Sequence, residues 1–349
     1  MHRSGLDGDH DQGHRVIRGW FLRGIGGLVV CGLAASCSKG GGSPARPSEQ
    51  RTLSGHTLNA VDNAETGNVS VRIGQVNVQS DASGFFQTEV EWPGWHPAAL
   101  QASGFVERLT GVVVPANGLR LSLIPSSFDM TAFNEMVRPE ARLQRWVTRP
   151  RLVVITSVMR FSAMSDDIFF ATTERMSSSD VESLVTDMKN ALALLTAGMW
   201  SDFSAVDREV VEPAQAVSTT RTGAIVVGRY SGIQEGANNI GYGRWAAQAD
   251  GAIVGGAVYL DRDFDVASSQ RVKLRTHELG HALGYMHVTA QTSIMNPAIG
   301  PAPTPFDHQA VRIAFDRQPG NRAPDEDPAY TTPRTSITDG GVRWSRAIP

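Results

Sequence analysis

The stretch THELGHALGYMH, residues Thr276 to His287, decides how this chain is read. It holds three of the chain's nine histidines. His277 and His281 are four residues apart, so on a helix both imidazoles lie on one face, one turn apart, near enough to share an ion. Glu278 projects from the same side of the helix without ligating directly. A tetrahedral metal with two such ligands needs a third protein ligand and an open position. His287 can be that ligand only if the chain turns sharply after His281. Gly284 stands where the turn is needed, and glycine tolerates positive φ at no steric cost. Gly280 falls mid-helix, where glycine costs about 1 kcal/mol against alanine. Close packing of the helix on a sheet is the reason read for it.

The rest of the chain narrows the chemistry. Its only two cysteines, Cys31 and Cys37, lie near the N-terminus. The body therefore has no disulfide, and a transition-metal site there must use histidine and carboxylate. The 349 residues are 41% hydrophobic and 19% charged, enough for two domains with their own cores. A formal charge of −3, with no block of like charge in the body, argues against nucleic acid as a partner.

Working outward, LVVITSVMRF (152–161), GAIVVGRYSG (223–232) and AIVGGAVYLD (252–261) read as buried strands. Ser179 to Gly198 reads as a helix, with Ser179 and Glu182 as a capping box. Val181, Leu184, Val185, Met188, Leu192 and Leu195 make its apolar stripe. A second long helix starts near Ser268 and runs into the opening stretch. A last one follows Pro305, with Thr304 as its N-cap. Residues 52 to 125 differ. Runs such as VSVRIGQVNV and FFQTEVEW alternate at period two between turn signals such as Asp81-Ala-Ser-Gly84 and Asn117-Gly118, which reads as a small all-β sandwich. Residues 126 to 150 read as a connector with a short helix around FDMTAFNEMV. Beyond about residue 320 the chain is rich in Pro, Asp and Arg and reads as a surface tail.

His277-Glu278-x-x-His281-x-x-Gly284-x-x-His287 resembles the signature of the metzincin zinc endopeptidases. Ser293-Ile294-Met295-Asn296-Pro297 resembles their Met-turn, with Met295 eight residues after His287, as in matrixins. The resemblance implies one catalytic Zn2+ bound by His277, His281 and His287. It implies Glu278 as the general base that takes a proton from the attacking water and passes it to the leaving amine. It implies Met295 as an apolar floor under the metal and an Asp307 hydrogen bond to the Met-turn backbone. It also makes strand 252–260 the upper rim of the cleft, with Gly255, Gly256, Ala257 and Val258 beside an extended substrate that adds as a strand. Matrixins place calcium ligands near the end of this strand, which makes Asp261, Asp263 and Asp265 candidates for Ca2+, although a solvated turn explains them as well. Tyr285 reads as a packing residue.

The match also departs from its relatives. Pro297 stands where astacins and serralysins carry a tyrosine ligand, and Val288 stands where matrixins have serine. Tyr259 occupies the place of a matrixin ligand to a second, structural zinc, and no cysteine switch can form. The nearest description is a matrixin-like metzincin outside the named subfamilies. The sandwich is similar to the carboxypeptidase regulatory-like domain through Asp62-Asn-Ala-Glu-Thr-Gly67 and Ser80-Asp-Ala-Ser-Gly84-Phe85. That likeness implies no chemistry.

At the N-terminus, Arg15, Arg18 and Arg23 precede GIGGLVVCGLAA (24–35). This run is too short to span a bilayer permanently but suits a secretory signal. Ala34-Ala35-Ser36-Cys37 resembles the lipobox of bacterial lipoproteins, which implies lipidation of Cys37. The expected organisation is a signal peptide (1–36), a lipidated flexible linker (37–50), the sandwich (51–125), the connector (126–150), a zinc-protease domain (151–322) and a flexible tail (323–349). The expected fold class is α+β, with a zincin-like domain of twisted mixed sheet plus active-site helix. The expected protein is a monomeric, membrane-anchored zinc endopeptidase of the bacterial cell envelope or exterior, acting on proteins or peptides. The alternative is an envelope lipoprotein that binds a protein or glycan partner and carries a non-catalytic zinc domain.

Overall fold

The computed structural model describes residues 51–162, 167–237, 239–299, 302–329 and 343–346. The signal peptide, Cys37 and the linker lie outside the described residues. Seven strands lie between Thr52 and Leu123. β1 (Thr52–Asn59), β4 (Phe85–Glu89) and β7 (Ala116–Leu123) form one sheet, with β1 in the centre. β2 (Ser70–Ile73), β3 (Val76–Gln79), β5 (Gly94–Gln101) and β6 (Arg108–Val114) form a second, in the order β3-β2-β5-β6. The alternation in the sequence is the alternation of the pleat. Leu53, Phe86, Leu121 and Leu123 of the first sheet meet Val71, Ile73, Leu100, Val112 and Val114 of the second in one core.

The connector carries α1 (Met130–Val137) and β8 (Arg145–Trp146). The Asp129 side chain caps α1 by accepting from Ala132 N at 3.0 Å.

The remaining strands build a mixed sheet. They are β9 (Arg151–Arg160), β10 (Ile168–Arg175), β11 (Val206–Glu209), β12 (Ala216–Ser218), β13 (Ala224–Ser231), β14 (Gly241–Ala247), β15 (Ala252–Asp261) and β16 (Arg343–Arg346). Among the described residues the order is β12-β10-β9-β13-β15-β14-β16, with β11 beside β9 and β8 beside β15. β9, β13 and β15 run parallel, while β10 and β14 are antiparallel to their neighbours. Strands this apolar must be covered on both faces. Leu152, Val154, Ile225, Val227, Val258 and Leu260 face a core shared with the helices. Val153, Ile155, Val226, Tyr230, Ala257 and Tyr259 face a second core, closed in part by Phe169 of β10. The chain is therefore a mixed α+β protein.

The helices are α2 (Ser178–Leu195), α3 (Ile233–Ala237), α4 (Arg262–Ala267), α5 (Arg271–Ala282) and α6 (Pro305–Asp316). α2 buries the six stripe residues as expected, but its cap lies upstream of Ser179. Ser177 is the N-cap and accepts from Asp180 N at 3.1 Å, while Glu182 turns outward to Arg208 at 3.0 Å. Three consecutive serines offer three local solutions, and sequence spacing does not choose between them. α6 begins as read, with Thr304 and Asp307 forming a reciprocal capping box. Among the described residues no helix is long and apolar enough to cross a membrane.

The expectation of a tail from 323 needs correction. Asn321, Asp325 and Asp327 are buried, and their polar groups meet Arg317, Arg108 and Arg138. The acidic run is held by cations from β6, the end of α1 and the end of α6, so it does not wander over the surface.

Candidate metal centre and active site

The three histidines expected to ligate a metal come together. Nε2 of His281 lies 3.0 Å from Nε2 of His277 and 3.2 Å from Nε2 of His287, and the His277–His287 separation is 3.3 Å. At the usual metal–nitrogen bond of about 2.0–2.1 Å, tetrahedral ligands sit roughly 3.3 Å apart. The tautomers explain why Nε2 of His277 and Nε2 of His281 cannot be hydrogen-bonding each other. Nδ1 of His277 meets the carbonyl of Ile294 at 2.8 Å, and Nδ1 of His281 meets that of Tyr285 at 2.6 Å. A carbonyl only accepts, so both Nδ1 atoms carry the proton and both Nε2 atoms present lone pairs. Converging lone pairs repel unless a cation lies between them. Burial holds the pKa of His277 down to about 4 and that of His281 well below its ordinary value, which keeps both rings neutral. The three histidines form the one group among the described residues with three side-chain donors close enough to hold a metal ion.

Local structure accounts for the convergence. α5 puts His277 and His281 on one face. Tyr285 N donates to Gly280 O at 3.0 Å and Gly284 N to His281 O at 2.9 Å, a Schellman closure with Gly284 at φ +101°. That closure also carries the Tyr285 carbonyl back to His281. A Cβ on Gly284 would lie 2.7 Å from both Gln144 O and Ile253 Cδ1. The Tyr285 hydroxyl donates to Leu195 O at 2.7 Å inside the core, so this residue packs as expected.

The Met-turn is held from α6. Asp307 accepts from Ile294 N at 3.0 Å and from Ser293 Oγ at 2.5 Å, and the Ile294 carbonyl in turn orients His277. Met295 is buried beneath the helix. A Cβ on Gly280 would lie 2.5 Å from its sulfur, so this glycine makes room for the Met-turn and not for the sheet.

Two expectations are overturned. The rim of the cleft is not strand 252–260. β15 is hydrogen-bonded on one side to β13 and on the other to β14, so Gly255, Gly256, Ala257 and Val258 have no free edge for a substrate. Gly256 serves packing, because a Cβ there would lie 3.0 Å from Ala282 O of α5. The strand beside the histidines is β14. Gly241, Gly243 and the preceding Ile240 line a cleft of about 400 Å³ together with the three histidines, Glu278, Phe264, Leu274 and Ile299. The calcium candidates also fail. Asp261 caps α4, accepting from Asp263 N and Phe264 N, while Asp263 pairs with Arg262. Asp265 is buried between Arg229 and Arg275, each at 2.7 Å. Its charge is consumed by two guanidiniums, and the three carboxylates share no centre.

Glu278 is 5% exposed and lies between the histidines and β14. Burial pushes its pKa up to about 8, partly offset by a hydrogen bond from the Gly243 backbone. A Cβ on Gly241 would lie 2.8 Å from the Glu278 carboxylate, and one on Gly243 would overlap Glu278 O and His281 Cβ. These glycines were missed by sequence reasoning. Their one signal is spacing: two glycines two apart on a strand face the same side. Gly243→Ala should cost about 1–3 kcal/mol of stability, because backbone and Cβ atoms cannot rotate away. It should also weaken metal retention. Urea midpoints and metal stoichiometry measure both, and a variant unchanged in each would show that β14 does not need this contact.

Comparison with known proteins adds little to this geometry. No protein-family profile matches the chain, and no curated protein matches it. Among solved structures, one match is a protein from Bacteroides fragilis described only as membrane-associated and of unknown function. The two are 11% identical, the match covers 42% of this chain and 44% of that one, and the TM-score is 0.19. The chain thus spans less than half of that structure, and so loose a superposition carries no argument.

Proposed function

We propose that the chain is a zinc-dependent endopeptidase of metzincin type with a zincin-like catalytic domain, anchored to a bacterial envelope through Cys37. The observation that carries this reading is the set of three converging Nε2 atoms with a buried carboxylate beside them on the cleft wall. Three imidazoles at tetrahedral spacing suit zinc in a site that leaves one position open. Bound zinc supplies Lewis acidity to a water and to a substrate carbonyl. The chain's own groups do the rest. Glu278 accepts the water proton on its carboxylate and delivers it to the leaving amine nitrogen. β14 offers the cleft-facing backbone edge near Gly241, where an extended peptide can add as a strand. Ile240, Phe264, Leu274 and Ile299 suit an apolar substrate side chain and exclude water from the reacting groups. The test is release of peptides from an unfolded protein by residues 50–349. Activity should vanish with a zinc chelator and return with stoichiometric Zn2+. A metal-loaded protein that cleaves no peptide bond would refute the reading.

A further inference from the structure

His287 lies outside α5, and the ring-to-carbonyl bonds described above orient the other two ligands. What fixes the loop that carries it is α1 of the connector. Met286 N donates to Met136 O at 2.7 Å, immediately before His287. Two and three residues after it, Thr289 N and Ala290 N donate to Glu135 Oε2 at 2.7 and 3.0 Å, and Thr289 Oγ1 donates to Glu135 Oε1 at 3.0 Å. One carboxylate thus gathers three donors from two consecutive residues, and the helix that bears it also holds the residue on the other side of His287. Two further anchors of this loop, Val288 N to Met295 O and Asn296 Nδ2 to Val288 O, tie it to the Met-turn. Ala132, Phe133, Met136 and Val137 seat α1 in the core, so its outward Glu135 is held on a rigid element.

We infer that Glu135 is a positioning residue for the third metal ligand: it clasps the 289–290 backbone so that His287 stays within reach of His277 and His281. The connector is therefore part of the metal site, although it lies more than 120 residues upstream of α5 in sequence. A carboxylate is suited to this role, because charge-assisted bonds to backbone N–H groups are stronger than those of an amide. Glutamine keeps the length and can hold the same partners, its carbonyl oxygen accepting from both amides and its NH2 donating to Thr289 Oγ1, but without the charge that strengthens those bonds.

The inference rests on the metal-site part of the proposed function and not on proteolysis, so its test does not use activity. The full chain is loaded with Zn2+, and release to a chromophoric chelator is timed. Glu135→Ala should release the ion about 10–100-fold faster than the parent, the range typical when groups orienting a ligand are removed, and Glu135→Gln should release it faster than the parent but more slowly than Glu135→Ala. Co2+-loaded variants should show a shifted or weakened visible band. The thermal midpoint should fall further in the zinc-loaded protein than in the metal-free protein, which separates positioning from general support. Thr289→Val, which removes the hydroxyl donor alone, should give a smaller change of the same sign. Unchanged release rates would overturn the inference, and so would an equal loss of stability in metal-free and metal-loaded protein.

Discussion

Glu278→Gln is expected to lower peptide hydrolysis by about 10³- to 10⁴-fold, the upper range for loss of a positioned proton-transfer group. Zinc content should stay at one ion per chain, because Glu278 lies beside the three-nitrogen centre and is not one of its ligands. Loss of metal in this variant would make the carboxylate structural. Activity within a few-fold of the parent would remove it from the mechanism. The same substitution has a second, metal-free signature. Burial pushes the Glu278 pKa up to about 8, from an ordinary value of 4.5. Between those values the folded protein holds a proton that the unfolded chain releases. This group's contribution to stability is therefore fully present below about pH 4.5 and is lost as pH rises through about 8. The metal-free parent should lose stability relative to Glu278→Gln over that window, at up to ~1.4 kcal/mol per pH unit. His277 and His281 titrate with the opposite sign at lower pH, but they are common to both proteins and largely cancel in the difference. Parallel urea-midpoint profiles across pH 6–9 would show that the carboxyl is not buried as described.

The parts of this site that were legible in the sequence are those governed by local geometry. Four-residue spacing puts His277 and His281 on one helix face whatever surrounds them. Gly284 closes α5 through bonds that span only five residues. The start of α6 was legible through Pro305 and Thr304, whereas the Asp307 contact to the Met-turn was expected only from the family resemblance. The rim was not legible, because sheet order is a non-local property. β14 precedes β15 in sequence but lies outside it in the sheet, and AIVGGAVYLD has no residue that marks a free edge. Its almost wholly apolar composition was a warning, since strands this apolar sit inside a sheet. Asp265 misled for a related reason. An Asp-x-Asp-x-Asp run looks like a cluster of oxygens, but Arg229 and Arg275 that neutralise it come from β13 and α5. Glu135 left no trace, because its partners lie 154 and 155 residues away.

The acidic run beyond residue 320 suggests the other large effect, and it concerns what holds the two β-rich regions together. Arg317 is fully buried. It makes a bidentate pair with Asp325 at 2.7 and 2.8 Å, and it reaches Ser122 Oγ of β7 at 2.8 Å. Arg108 of β6 meets Asp327 at 3.1 Å, and Asn321 donates to both aspartates. The network therefore joins the sandwich, the end of α6 and the 321–327 segment. Its net worth against water is small, because burying the charges costs nearly what pairing them returns. Breaking it on one side is another matter. Arg317→Met leaves the Asp325 carboxylate buried with Asn321 as its remaining direct donor, and should cost about 3–5 kcal/mol. Pairing the change with Asp325→Leu removes the orphaned charge and should restore most of that loss. Guanidinium denaturation of the single and double variants decides the point. If the double variant is as unstable as Arg317→Met alone, packing and hydrogen bonds to Ser122, not the uncompensated charge, hold this junction. If both match the parent, the acidic run is not anchored there at all.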